Sequence, residues 1–133
     1  MNLYSRHMDP LLQKALEVRK HAYSPYSKFS VGAALEAFDG TIYTGCNVEN
    51  GFWLSICAER TALVKAISEG AKKFKRIAIV ADTAGPAYPC GICRQMLAEF
   101  APDLEFLLAN TKGQTEKATL SQLLPKAFTF SAK

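Results

Sequence analysis

A chain of 133 residues with 49% hydrophobic and 21% charged residues can bury roughly two thirds of the surface its unfolded form exposes. That balance excludes a largely disordered protein and leaves room for one domain over residues 1–133 with a core and a shaped pocket. No apolar run approaches the roughly 20 residues a membrane helix needs, and Met1 to Asp9 carries neither an apolar h-region nor a cleavage-like site. The expectation is therefore no membrane and a cytoplasmic location, where cysteines stay reduced. Net charge is +4, a mild excess that demands no anionic partner. Its densest run, Lys72-Lys73-Phe74-Lys75-Arg76, follows a predicted helix and reads as its solvated, dipole-complementing end rather than as a nucleic-acid patch, so no nucleic-acid partner is expected.

Asp9-Pro10 ahead of Leu11, Leu12, Ala15, Leu16 and Val18 predicts a capped helix with proline in its first turn, running to about Ala22. Tyr23 to Ser27 is turn chemistry, and Phe29 to Ala37 is a strand rich in small residues. Asp39-Gly40 closes a hairpin onto Thr41–Thr44. After a loop from about Cys46 to Ser55, a helix spans about Cys57 to Glu69 with Gly70 as its stop. Ile77 to Ala81 is an apolar strand covered on both faces. The loop from Asp82 to Pro89 leads to a helix over about Cys90 to Phe100, then a strand from Leu104 to Ala109. Lys112-Gly113 is a turn, and Thr119 caps a short helix ending before Pro125. Two hairpin strands followed by helix, strand, helix, strand make an α/β domain with a mixed sheet. Right-handed crossovers bring the starts of the two later helices together at one edge of that sheet.

Those helix starts carry Cys57-Ala58-Glu59-Arg60 and Pro89-Cys90-Gly91-Ile92-Cys93. Cys90 and Cys93 are spaced to share a helix face, and free N–H groups and the dipole at a helix start favour thiolate. Three thiolates with a carboxylate two positions after the first suit a catalytic zinc centre with an open fourth position. The excess negative charge of such a site calls for cations nearby, and Arg60 and Arg94 each directly follow a key residue. A thioredoxin-like Cys-x-x-Cys pair leaves Cys57-Ala58-Glu59 unexplained. A closed structural zinc site needs a fourth ligand, and Cys46 is the spare cysteine.

With these residues in hand, the chain resembles the small zinc-dependent cytidine deaminases of free nucleosides. The likeness runs through Tyr26–Leu35, Gly45-Cys-Asn-Val-Glu-Asn50, the two cysteine segments with Arg94-Gln95, and Leu123–Phe128. Cysteine as the first ligand sets it apart from the His-x-Glu deaminases of nucleotides and tRNA. The resemblance implies a three-layer sandwich around about five strands, with Cys57, Cys90 and Cys93 as Zn²⁺ ligands and Glu59 as the proton shuttle. It further implies Arg60 donating to cysteine sulfurs, and substrate contacts from Phe29, Asn47, Glu49, Ala58 and Tyr88, the last through its carbonyl. Phe128 would reach a neighbouring subunit's site in a homotetramer. The implied reaction is hydrolytic deamination of cytidine and deoxycytidine in pyrimidine salvage. A blasticidin-type cytosine nucleoside is the alternative substrate, and a structural-zinc binding module the alternative class. One departure stands out. Gly51 to Ile56 is a residue shorter than the family pattern, with Phe52-Trp53 where a small residue and Tyr are usual, which bears on subunit contacts and pocket shape.

Overall fold

The computed structural model describes residues 7–130, so most of the stretch read for a leader segment, residues 1–6, lies outside it. The elements in chain order are α1 (Pro10–Arg19), β1 (Val31–Ala37), β2 (Ile42–Cys46), α2 (Ala58–Ser68), β3 (Phe74–Ala81), α3 (Gly91–Phe100), β4 (Glu105–Asn110), β5 (Thr115–Thr119) and α4 (Leu120–Leu123). The strands form one sheet in the order β2-β1-β3-β4-β5, in which β3 and β4 run parallel and every other neighbouring pair is antiparallel. The parallel pair is joined through α3, as a crossover connection requires.

The sheet is packed on both faces, giving three layers. On one face α1 lays Leu11, Leu12, Ala15 and Leu16 against Ala34, Ala78, Val80, Leu107 and Ala109. On the other, Ala58, Ala62, Leu63 and Ala66 of α2 and Leu97 of α3 cover Ala33, Leu35, Ile77, Ile79, Phe106 and Leu108. The alternation of these two sets along β1, β3 and β4 is the period-two signature of strands buried on both faces.

Close backbone approach sets how the helices sit. A Cβ on Gly32 of β1 would stand 1.9 Å from the Ala15 carbonyl oxygen, so α1 rests directly on that strand. A Cβ on Gly45 of β2 would stand 2.4 Å from the Ala62 nitrogen and 2.7 Å from the Ala58 oxygen. The first turns of α2 are thus seated on β2 at a distance only glycine permits. At its far end α2 closes on Gly70 at φ 99°, where the Gly70 N–H reaches Ile67 and the Ala71 N–H reaches Ala66, a Schellman ending.

Several boundaries differ from those expected. The α-helix α1 stops at Arg19 rather than Ala22, because His21 and Ala22 donate to carbonyls three residues back and tighten the last turn. Strand β1 begins at Val31 rather than Phe29. Strand β3 begins at Phe74, three residues early, and this recasts the basic run. Lys75 and Arg76 belong to the strand, and Arg76 bridges Asp9 at 2.8 Å and Glu36 at 3.3 Å. Arg76 is therefore a brace between the N-cap of α1 and the sheet rather than a solvated helix end. Burial works to raise the pKa of Asp9, but its bonds from Arg76 and the Leu11 amide outweigh that and hold it below the usual carboxylate range. Strand β5 carries one buried residue, Ala118, among five, and the residue-level reading of the sequence did not place it.

The Gly45 contact makes a prediction. Gly45→Ala should push the first turns of α2 off β2, costing about 1–3 kcal/mol of stability as overpacking does, and should weaken zinc retention because Cys57 caps that helix. Thermal unfolding and zinc content, measured beside a Gly85→Ala control whose Cβ meets no atom within 4 Å, check it. Equal zinc loss in both variants would count against a specific role for the contact.

Candidate active site

The two cysteine segments meet where their helices start. Cys57 is the N-cap of α2 and Cys90 the N-cap of α3, both in extended backbone, and Cys93 sits in the first turn of α3, fully buried. The Cys57 and Cys90 sulfurs are 3.8 Å apart, those of Cys90 and Cys93 are 3.5 Å apart, and all three lie within 4.8 Å of one another. Tetrahedral zinc with Zn–S near 2.3 Å requires sulfurs about 3.8 Å apart, so the donor set fits this ion in both chemistry and spacing. Among the described residues Cys46, at the end of β2, is not part of the group. The fourth protein ligand of a closed site is absent from it.

Charge around the sulfurs is managed by hydrogen bonds. The Cys93 N–H points at Cys90 Sγ at 3.5 Å, and Arg60 Nη2 donates to Cys57 Sγ at 3.6 Å. Hydrogen bonding from Cys93, then from Arg60 and Cys90, brings the Cys57 thiol down to about 5 against the opposing effect of burial. The same bond to Cys57, with burial, pushes Cys93 up. Arg60 is itself held more firmly protonated by its bond to Cys57. Its Nε is buried without a hydrogen-bond partner, a cost that its position over the sulfurs offsets.

Glu59 follows Ala58 into the first turn of α2 and is 4% exposed. Burial, supplemented by the neighbouring Cys57 charge, pushes its carboxyl up to about 7. It lines a cavity of about 210 Å³ together with Phe29, Asn47, Cys57, Ala58, Tyr88 and Cys90. Seven of the residues singled out in the sequence therefore share one cavity. Thr83 and Ala87, from the loop after β3, complete its wall. They were missed, and their one signal is that they follow the C-terminal end of a strand next to a parallel neighbour, where ligands gather in open α/β sheets. A larger cavity of about 390 Å³ opens on the opposite face between the start of α1 and β4–β5, away from the cysteines.

Hydrogen bonds tie some of the predicted residues to the scaffold, while Glu49 and Phe128 lie outside the cavity that Glu59 lines. Asn47 accepts from the Val31 N–H at 2.8 Å and donates to the Phe29 carbonyl at 2.7 Å, fixing the wall residue Phe29. Glu49 accepts from the amides of Tyr26 and Ser27 at 2.9 and 3.1 Å and from the Ser27 hydroxyl, and it lines a separate cavity with Asn50 and Trp53 instead. The bond from Ser27 in particular holds its pKa below the usual range. Phe128 is 69% exposed and lines neither cavity. The side chain of Tyr88 reaches across the rim to Glu116 of β5.

Fold and site together define a zinc-type deaminase. Residues 5–107 match the model of the cytidine and deoxycytidylate deaminase zinc-binding region. A cytidine deaminase of Sporosarcina psychrophila is 52% identical over 123 residues, covering 91% of this chain and 90% of that protein. The crystal structure of a cytidine deaminase from Burkholderia pseudomallei superposes with a TM-score of 0.88 at 45% identity, covering 94% of this chain and all of that one. A blasticidin-S deaminase of Bacillus cereus is more distant, at 32% over 112 residues, or 77% of this chain and 79% of that protein. The chain belongs to the cytidine and deoxycytidylate deaminase family.

The raised Glu59 pKa predicts a pH signature in zinc-stripped protein. A carboxyl with a folded pKa near 7 and an ordinary value of 4.5 binds its proton more tightly when folded, so its contribution to stability is complete below pH 4.5 and is lost as pH rises to 7. The span is about 3 kcal/mol. Cys57 titrates in the opposite sense over an overlapping range, so the Glu59 part is read as the difference in unfolding free energy between wild type and Glu59→Gln. Wild-type unfolding free energy should fall relative to that of the variant from pH 4.5 to 7, and a flat difference would contradict the buried-acid assignment.

Proposed function

We propose that the protein hydrolyses cytidine and deoxycytidine to uridine and deoxyuridine with release of ammonia, as a cytoplasmic enzyme of pyrimidine salvage. The observation that carries this reading is a three-thiol cluster with zinc spacing beside a buried carboxyl poised near neutral pH, in one cavity of about 210 Å³. Cys57, Cys90 and Cys93 would hold zinc, which would supply Lewis acidity that lowers the pKa of a water toward 7. Glu59 takes a proton from a water and passes it to N3 of the cytosine ring, the hydroxide left behind adds to C4, and Glu59 then takes the proton of the new C4 hydroxyl and delivers it to the amino group, which leaves as ammonia as the C4 carbonyl forms. A pKa near 7 suits both directions of transfer.

The remaining side chains hold the substrate. The Tyr88 carbonyl accepts from the amino group, and Ala58 leaves room for the ring beside Glu59. Phe29 packs on the base or ribose, held by Asn47. With one N–H and one lone pair already engaged on the backbone, the Asn47 amide keeps a second N–H for a ribose hydroxyl. Glu49 has about one acceptor site left beyond its three bonds to Tyr26 and Ser27. Arg60 draws negative charge from the sulfurs and keeps the ion an effective Lewis acid.

The assembly proposed is a homotetramer in which Phe128 completes a neighbour's pocket. Its support is an exposed apolar rim. Phe52, Trp53 and Leu54 at the tip of the shortened loop are 83%, 95% and 73% exposed, and Phe130 is 86% exposed. Three consecutive exposed apolar side chains, Phe52 to Leu54, are the kind of surface that marks a contact site.

Ammonia release from zinc-loaded protein given cytidine, deoxycytidine, cytosine or blasticidin S tests the activity. The two cytosine nucleosides should react, and Glu59→Gln should keep its zinc while losing 10²-fold or more in turnover, the usual weight of a positioned acid/base. Silence toward all four with zinc fully bound would overturn the reading. For the assembly, subunits lacking residues 126–133 should be inactive alone and regain activity when co-assembled with full-length Glu59→Gln subunits, one supplying the carboxyl and the other Phe128. Inactive mixtures despite proven subunit exchange, or an active monomer by sedimentation, would exclude the shared site.

A further inference from the structure

Two side chains that the reaction leaves unused tie the cysteine-bearing helix to the end of the chain. Arg94, directly after Cys93, turns its guanidinium onto two carbonyls at once: Nε donates to Pro89 at 2.8 Å and Nη1 to Leu123 at 2.6 Å. Pro89 immediately precedes Cys90, and Leu123 is the last residue of α4. One forked group therefore holds both the loop that delivers a sulfur and the helix that delivers the C-terminal segment. Next to it, Gln95 Nε2 donates to the Phe128 carbonyl at 2.9 Å. The held segment is poor in structure of its own. Residues 127–130 belong to no helix or strand, Pro125 has no N–H to give, Lys126 stands at φ 56°, and Phe128 and Phe130 point outward.

We infer that Arg94 and Gln95 are positioning residues that strap the C-terminal segment onto α3 and so fix Phe128 relative to the cysteine cluster. The chemistry suits the task. A guanidinium is planar and permanently charged, and its separate N–H vectors can satisfy two carbonyls from different segments, which a lysine ammonium on a flexible stem does less well. A side chain that grips a backbone carbonyl sets where the Phe128 backbone lies while leaving its ring free to project. The placement of a neighbour's substrate wall is thereby referred to the same helix that carries Cys90 and Cys93. This kinetic consequence rests on the proposed role of Phe128 as a substrate contact, whereas the anchoring itself does not.

Zinc-loaded Gln95→Glu, Arg94→Lys, Phe128→Ala and the Gln95→Glu/Phe128→Ala double variant test the strap by hydrogen–deuterium exchange of the C-terminal peptides and by steady-state kinetics on cytidine. Gln95→Glu replaces the donor amide by an acceptor of equal size at a half-buried site, so the fold should survive. Exchange over residues 126–130 should speed about tenfold with zinc content unaltered, the scale of one lost hydrogen bond plus repulsion. In Arg94→Lys the loosening should extend back to residues 120–124. KM should rise about tenfold in Gln95→Glu and in Phe128→Ala with kcat within about threefold, and the double variant should be no worse than Phe128→Ala, because both changes remove the same contact. Unaltered exchange in Gln95→Glu would overturn the strap whatever the kinetics. A raised KM in Phe128→Ala but not in Gln95→Glu, or additive effects, would overturn the positioning role. Faster exchange with KM unmoved in both single variants would leave the strap standing and remove Phe128 from the substrate site.

Discussion

Three sulfurs can share one ion only if two helix starts are pressed together, and the rest of the architecture answers to that requirement. Thiolates 3.8 Å apart repel one another by roughly 4 kcal/mol per pair even at an effective dielectric near 20. Without an ion the cluster therefore spreads its protons unevenly, with Cys57 drawn down to about 5 and Cys93 pushed up. Everything that offsets this repulsion is local. The sulfurs lie at the positive ends of both helix dipoles, the Cys93 N–H donates to Cys90 Sγ, and Arg60 donates to Cys57. The sheet order makes the meeting possible, since α2 and α3 lie on the same face. Gly45 then sets the height of α2 above the sheet to within the width of a methyl group.

Glu59 is the second consequence of that geometry. A carboxyl in the first turn of a helix normally gains from the dipole, and here burial against the sheet outweighs that gain and raises its pKa to about 7. Ion and acid make opposite demands. A cation nearby favours carboxylate, while burial favours the neutral form, so a bound ion would draw Glu59 back from the value near 7 that burial sets. The proton transfer proposed for Glu59 depends on that balance. Burying that carboxyl costs the first turns of α2 stability, and the closely packed Ala62, Leu63 and Ala66 that follow in the same helix offset it.

The fold was legible where local chemistry and periodicity agreed. Asp9-Pro10, Asp39-Gly40, Gly70 and Thr119 each marked an element end that the structure retains. The thiols were legible because residue type and spacing both carried meaning. What could not be read depends on partners far away in sequence. Arg76 looked like one more cation in a basic run until Asp9 and Glu36 were brought to it across the sheet. Strand β5, with the pattern Thr-Glu-Lys-Ala-Thr, is an edge strand with one buried side chain, and its pairing comes from β4 rather than from hydrophobicity. Thr83 and Ala87 lie in a loop whose composition is ordinary, and only the topology brings them to the cavity.

The cavity walls show how recognition and structure are combined in single side chains. Asn47 uses one donor and one acceptor to join the start of β1 to the end of β2 on either side of Ser30, and Arg19 grips the Ser30 carbonyl from the α1 side at 2.8 Å. Glu49 spends most of its acceptor capacity on the Tyr26–Ser27 turn, and the Ser27 hydroxyl in turn receives the Phe29 N–H at 3.0 Å. Phe29 is therefore held from two directions, by Asn47 and through the Glu49–Ser27 bonds, and the wall is set before any ligand arrives. Preorganisation of this kind lowers the entropy a small ligand must pay on entry. It also means that removing either polar side chain would move an aromatic wall as well as delete a contact, so the effect on binding would exceed that of one hydrogen bond. The substrate contacts proposed for Asn47 and Glu49 would thus act partly through the position these residues give to Phe29.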